Sequence, residues 1–154
     1  MNGGVTATTT FLLVEDDPND VLMVEMEFQR APVQIRLVSV NDGDQAIQYL
    51  EGGGPYSDRR RFPIPDVILL DLKMRRVGGF QFLEWLRAGP PGLRCIPVVV
   101  MSSSELQEDV DRAYALGANS YLVKPVDWNL FRERIRALGV YWAEHVETPQ
   151  PFCR

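Results

Sequence analysis

The sequence predicts an α/β fold, a doubly wound sheet of five parallel strands with helices on both faces. Three observations lead there. Five short apolar runs alternate with five amphipathic stretches of helical periodicity, the pattern of strands joined by crossover helices. The run Val67-Ile68-Leu69-Leu70 is aliphatic without interruption and stops at Asp71, as a central strand buried on both faces does. The 154 residues are 45% hydrophobic and 24% charged, with no repeat, linker or low-complexity segment. They fit one domain with a full core.

Residues 1–9 are small and polar and read as a flexible start. The first strand, Thr10 to Val14, runs into Glu15-Asp16-Asp17-Pro18. Asp17 before Pro18 is a helix start, a capping carboxylate followed by proline at the first helical position. Val21, Val24 and Phe28 then recur at helical spacing. Ile35 to Val40 is the second strand. Asp42, with Gln45 three residues on, caps a short helix whose apolar side is Ala46, Ile47 and Leu50. From Glu51 to Pro65 the chain is irregular and carries Asp58-Arg59-Arg60-Arg61. A solvated loop is the first reading of that arginine run and a docking patch the second.

After the third strand, Gly78-Gly79 precedes the pattern Phe80, Leu83, Trp85 and Leu86, and Gly89-Pro90-Pro91-Gly92 ends that helix. Pro97 to Met101 is the fourth strand and runs into Ser102-Ser103-Ser104. Ser104 and Gln107 predict a capping box for a helix that stops at Gly117. Ser120 to Val123 is the fifth strand, followed by Lys124-Pro125, and Asp127 caps a last helix running to Ala143. That helix carries two apolar lines. Phe131, Ile135, Leu138 and Trp142 suffice to cover the sheet; Leu130, Ala137 and Tyr141 form a surplus line, since a helix on one sheet needs a single stripe.

Composition narrows the function. Sixteen basic and twenty-one acidic residues give a net charge of −5, which argues against nucleic acid or an anionic membrane as partner. No apolar run approaches a bilayer span, and the start lacks a signal-peptide core. Two cysteines, Cys95 and Cys153, suggest a reducing, cytoplasmic setting without a disulfide framework, and the single histidine, His145, rules out a histidine-based metal cage from this chain alone.

The chemistry collects at the strand ends. Strand one delivers Glu15 and Asp16, strand three Asp71, strand four Ser102 and strand five Lys124. In a parallel sheet these ends share one rim, where open α/β sheets bind ligands. Three carboxylates in one crevice need a cation between them, and all-oxygen ligation suits Mg²⁺. An ammonium and a hydroxyl beside a hard metal describe a phosphoryl site, with Asp71 the natural nucleophile for an acyl phosphate.

With these motifs the chain resembles the receiver domain of two-component response regulators. The matching stretches are Leu13-Val14-Glu15-Asp16-Asp17-Pro18, Val67 to Leu72, Pro97 to Ser102 and Gly117 to Pro125. The resemblance spans residues 10–143 and implies the flavodoxin-like receiver fold with strand order 2-1-3-4-5. It implies that Asp71 accepts phosphate from a sensor histidine kinase. Mg²⁺ would be held by Asp16, Asp71 and the main-chain carbonyl of Lys73, with Glu15 as an outer acid. Lys124 would pair with the phosphoryl group across a cis bond to Pro125. Ser102 and Tyr121 would act as the switch, an ordinary strand aromatic being the plain alternative for Tyr121.

The loop Lys73-Met74-Arg75-Arg76-Val77-Gly78-Gly79 departs from the family pattern, in which a proline usually stands four residues past the acceptor. That puts metal affinity and phosphoryl lifetime in question and leaves a pseudo-receiver, an interaction module that is never phosphorylated, as the rival. A dehalogenase-type phosphatase would need its nucleophile after strand one, and a flavin module a phosphate loop where Glu15 to Asp17 stand. Residues 144–154 are expected to be a tail without an output domain. The protein is then expected to signal through its own surface, as a homodimer on the face of helix four, strand five and helix five, with Leu130, Ala137 and Tyr141 at the interface. The plain alternative is that this line packs the tail, Thr148 to Phe152, back onto its own chain. The long loop before strand three and the Tyr141-Trp142 ending resemble small receivers paired with bacterial phytochromes.

Overall fold

Three of the strands are buried on both faces, which requires helices above and below them. In the computed structural model, which describes residues 7–150, these are β1 (Thr9–Val14), β3 (Val67–Asp71) and β4 (Val98–Ser102). They form the middle of a parallel five-stranded sheet flanked by β2 (Ile35–Val40) and β5 (Ser120–Val123), in the order β2-β1-β3-β4-β5. The fold is the α/β receiver type that the sequence predicts.

Helices α1 (Pro18–Arg30) and α5 (Trp128–Val140) cover one face. There Phe11, Leu13, Leu69 and Met101 of the sheet meet Val24, Phe28, Phe131 and Ile135. Helices α2 (Gly43–Glu51), α3 (Gly79–Ala88) and α4 (Gln107–Ala115) cover the other. There Leu12, Ile68, Leu70 and Val100 meet Leu50, Phe82, Leu86 and Ala113. The covering line of α5 is used as expected: Leu138 and Trp142 pack beside the buried Phe131 and Ile135.

Three caps form as the sequence indicates, among them Asp127, which accepts from the Asn129 and Leu130 N–H groups at the start of α5. Asp17 accepts from the Asn19 N–H and Asp42 from the Gln45 N–H. The Ser104/Gln107 capping box does not form. Helix α4 begins at Gln107 behind Leu106, and Ser104 instead donates its hydroxyl to Asp109 at 2.5 Å while Gln107 bonds Asp111. Because the helix starts at Gln107, Ser104 stands too far upstream to cap it, and its Oγ accepts from the Leu106 N–H at 3.3 Å instead. A further short turn, Pro91–Arg94, follows α3, because proline is pre-set for a first helical position. The last helix ends at Val140 and continues as one wider π turn, Tyr141–His145. No peptide bond among the described residues is cis. The Lys124–Pro125 bond is therefore trans, the isomer that such bonds favour by about 0.5–1 kcal/mol.

The arginine run is not wholly solvated. Arg59 turns inward and donates to the carbonyls of Tyr49, Leu50 and Phe62, closing the C-terminal end of α2, whereas Arg60 and Arg61 are exposed. Residues 1–6 and 151–154, with Cys153, lie outside the described part. No helix among the described residues is long and apolar enough to cross a membrane.

Candidate functional site

Sheet register assembles the site. Val14 pairs with Leu70, and Asp71 with Met101. Glu15, one step past Val14, thus arrives level with Asp71, and the Glu15 N–H still bonds the Val40 carbonyl. Asp16 follows as the chain leaves the sheet for α1. One carboxylate oxygen each from Glu15, Asp16 and Asp71 lie within 4.8 Å of one another. Oxygens around a single octahedral ion at about 2.1 Å would be up to about 4.2 Å apart. The trio therefore fits a small divalent cation after slight contraction.

Lys124 reaches the trio from the end of β5, where its N–H bonds the Ser102 carbonyl at 2.8 Å. Its Nζ donates to Glu15 Oε2 at 2.6 Å and to Asp20 Oδ2 at 2.8 Å, and stands 3.8 Å from Asp71 Oδ1. The side chain is only 13% exposed. Burial pushes the Glu15 carboxyl up to about 7, with the neighbouring Asp71 charge adding to it and Lys124 pulling it back. Burial likewise raises Asp71 against the pull of Lys124. For Lys124, burial disfavours the ammonium, but the charges of Asp71 and Glu15 outweigh it and hold the pKa above its ordinary value. One ammonium does not neutralise this many buried acids. The site is short of positive charge.

Gly79 brings the start of α3 against this rim. A Cβ there would sit 2.7 Å from Leu72 Cα, so only glycine lets the loop 73–78 fold back so closely. Within that loop the Lys73 N–H points at Asp71 Oδ1 at 3.4 Å, and the Lys73 side chain is exposed. Arg75 and Arg76 line a cleft shared with Asp16, Asp17 and Asp42, and Arg76 Nε stands 3.9 Å from Asp42. Ser102 is fully buried, and its Oγ accepts from the Ser104 N–H at 3.1 Å. Tyr121, half-buried, donates its hydroxyl to the Ser104 carbonyl at 3.0 Å. Ser102 and Tyr121 are thus joined through one residue, Ser104. Leu130, Ala137 and Tyr141 are all exposed, Tyr141 by 55%. His145 is exposed and lies beside Ala137 and Tyr141, not at the strand ends.

Sequence reasoning missed Asp20. An acid in the first turn of a helix is ordinary, since it complements the helix dipole, and nothing in the local spacing shows that Lys124, 104 positions away, comes to it.

Residues 11–136 match the family model described as the response regulator receiver domain. The chain is 33% identical to the probable methanogenesis regulatory protein FilR2 of Methanothrix harundinacea, covering 91% of this chain and 87% of that one. It is 31% identical to the response regulator Rcp1 of Synechocystis sp., covering 90% of this chain and 91% of Rcp1. Among solved structures, the phosphorylated cyanobacterial phytochrome response regulator RcpA superposes with a TM-score of 0.86 at 29% identity, over 94% of this chain and all of that one. The Mn(2+)-bound form of Rcp1 superposes with a TM-score of 0.83 at 30% identity, over 92% of this chain and 99% of that one.

Proposed function

Because the chain belongs to the response regulator receiver domain family, we propose that Asp71 is the residue on which it takes up a phosphoryl group, from a phosphohistidine of a sensor kinase. A receiver is a phosphoacceptor signalling protein rather than an enzyme with a separate substrate. The observation that supports Asp71 is the convergence at the rim: three carboxylates within 4.8 Å and one buried ammonium that touches Glu15 and lies 3.8 Å from Asp71. An Asp71 oxygen attacks phosphorus, the phosphorus–nitrogen bond breaks, and the imidazole leaves with the bonding pair. Asp16, Asp71 and the Lys73 carbonyl would hold Mg²⁺, with Glu15 behind them; when bound, the ion neutralises phosphoryl oxygens as charge builds on them. Lys124 supplies the second positive charge, and the Ser102 hydroxyl bonds a phosphoryl oxygen at the expense of its bond to Ser104. Tyr121, tied to the same Ser104, carries that movement to the surface of β5. Lys73, Arg75 and Arg76 put cations at the mouth of the pocket, where they bear on the water that ends the phosphoryl state.

The relation to RcpA and Rcp1 supports a kinase of the phytochrome type as donor. Transfer from a phosphorylated kinase of that type tests both proposals. Label should move to the wild type and not to Asp71→Asn; a pseudo-receiver would take none in either form.

The exposed line Leu130, Ala137 and Tyr141 supports a homodimer on the face of α4, β5 and α5, because exposed aromatics at such a surface serve as interface anchors. Light scattering over a concentration series should show dimer in the wild type, more of it with a phosphoryl mimic, and monomer in Tyr141→Glu, which would bury an unpaired charge. Monomer at every wild-type concentration would exclude the interface.

A further inference from the structure

We infer that Asp20 is a positioning residue that parks the Lys124 ammonium on the α1 side of the pocket and thereby competes with the phosphoryl group for it. This rests on the reading of Asp71 as the acceptor. Asp20 stands outside the carboxylate trio that fits a cation, yet its Oδ2 accepts from Lys124 Nζ at 2.8 Å, closer by a full ångström than Asp71 at 3.8 Å. Both partners of the bond are sheltered, with side chains 13% and 15% exposed, so water screens it little. The position is fixed by the fold: Asp17 and Pro18 start α1, and that start places Asp20 on the first turn, facing the end of β5.

An ammonium has three donors. Here two are spent on Glu15 and Asp20, and the distance to Asp71 is that of an ion pair without a hydrogen bond. Phosphoryl oxygens on Asp71 must therefore draw Nζ toward the strand ends, against the pull of Asp20. Glu15 lies on the sheet beside Asp71 and can keep its bond during that movement. Asp20, on the helix, is the partner that resists. The lysine is then a group held between two positions, and the free energy of the phosphorylated state includes the loss of the Asp20 bond.

The test uses beryllofluoride, an analogue of the aspartyl phosphoryl group, titrated at saturating Mg²⁺ into five proteins: wild type, Asp20→Asn, Asp20→Glu, Lys124→Met and the Asp20→Asn/Lys124→Met double variant. Asp20→Asn should bind about fivefold more tightly than wild type, the scale of one charge-assisted hydrogen bond partly offset by the amide that replaces it. Asp20→Glu should return to within about twofold of wild type. In the Lys124→Met background Asp20→Asn should change nothing. Equal or weaker binding by Asp20→Asn would overturn the inference. So would the same gain without Lys124, which would mean that only the overall negative charge matters.

A second measurement needs neither metal nor analogue. In ¹⁵N-lysine-labelled protein the Lys124 ammonium signal should be visible and slowly exchanging in wild type and should broaden in Asp20→Asn. An unchanged signal would overturn the parking contact directly. If wild type binds no beryllofluoride, the reading of Asp71 fails, while the lysine signal still decides the role of Asp20.

Discussion

Helix α1 contributes to two buried ionic clusters, two turns apart on the same side, and they are unbalanced in opposite directions. At its start, Asp20 joins Glu15 and Asp71 around the ammonium of Lys124, with Asp16 beside those last two acids. Seven residues later, Glu27 is a single carboxylate, fully buried, facing three guanidinium groups: Arg132 at 2.6 Å, Arg136 at 2.7 Å and Arg30 at 3.7 Å. The surplus charge has a different outlet in each case. The arginines are between a third and a half exposed, so their excess is discharged into water and the cluster is complete as it stands. Glu15 and Asp71 at the strand ends are buried without such an exit, and that burial makes both resist ionisation. A buried cluster that is complete ties α1 to α5. One that is incomplete invites a cation.

The largest effect should come from breaking the complete cluster. Glu27→Ala leaves three arginines without their shared acceptor, and truncating one side of a buried ion pair costs about 3 kcal/mol or more. Because these arginines can re-solvate, we expect about 2–3 kcal/mol by urea unfolding at neutral pH. Burial pushes the Glu27 carboxyl up, but the bonds from Arg132 and Arg136 outweigh it and hold it below its ordinary 4.5. A depressed folded pKa gives a contribution that is complete above 4.5 and disappears as pH falls through the lowered value. The gap between wild type and Glu27→Gln should therefore close in acid. A gap independent of pH would mean that packing, not charge, is what Glu27 provides.

The incomplete cluster should respond to a cation instead. Mg²⁺ at a hundredfold excess over its dissociation constant should stabilise the wild type by about 2.7 kcal/mol. Thermal unfolding with and without the ion measures this. Asp16→Ala, which removes one corner of the trio, should lose most of the increment. Glu27→Ala, though less stable at baseline, should keep its increment in full. Equal increments in wild type and Asp16→Ala would place the cation elsewhere.

What the sequence made legible follows the same division. β3 was legible because an uninterrupted aliphatic run ending in an acid suits a strand covered on both faces and suits neither a solvated loop nor a one-sided helix. The rim followed from carrying each strand to its end. Lys124 was found that way, through its place after β5. Asp20 and Glu27 were not, because each looks ordinary on its own helix: one as a first-turn acid, the other as a charged residue beside Val24 and Phe28. Their meaning lies in partners more than a hundred positions away. The Ser104/Gln107 cap failed for a related reason. A four-residue motif cannot register that the helix starts only at Gln107, which leaves Ser104 with the Leu106 N–H and Asp109, and Gln107 with Asp111. Arg59 resembled its neighbours in a charged run, and only the carbonyls left open at the end of α2 set it apart.

We propose that the surplus of acid at the strand ends makes Asp71 a metal-dependent phosphoacceptor. Intact mass after incubation with a small phosphodonor tests it most directly. The wild type with Mg²⁺ should gain one phosphoryl group, and there should be no gain after chelation or in Asp71→Asn. An equal adduct on Asp71→Asn, or one indifferent to the metal, would contradict it.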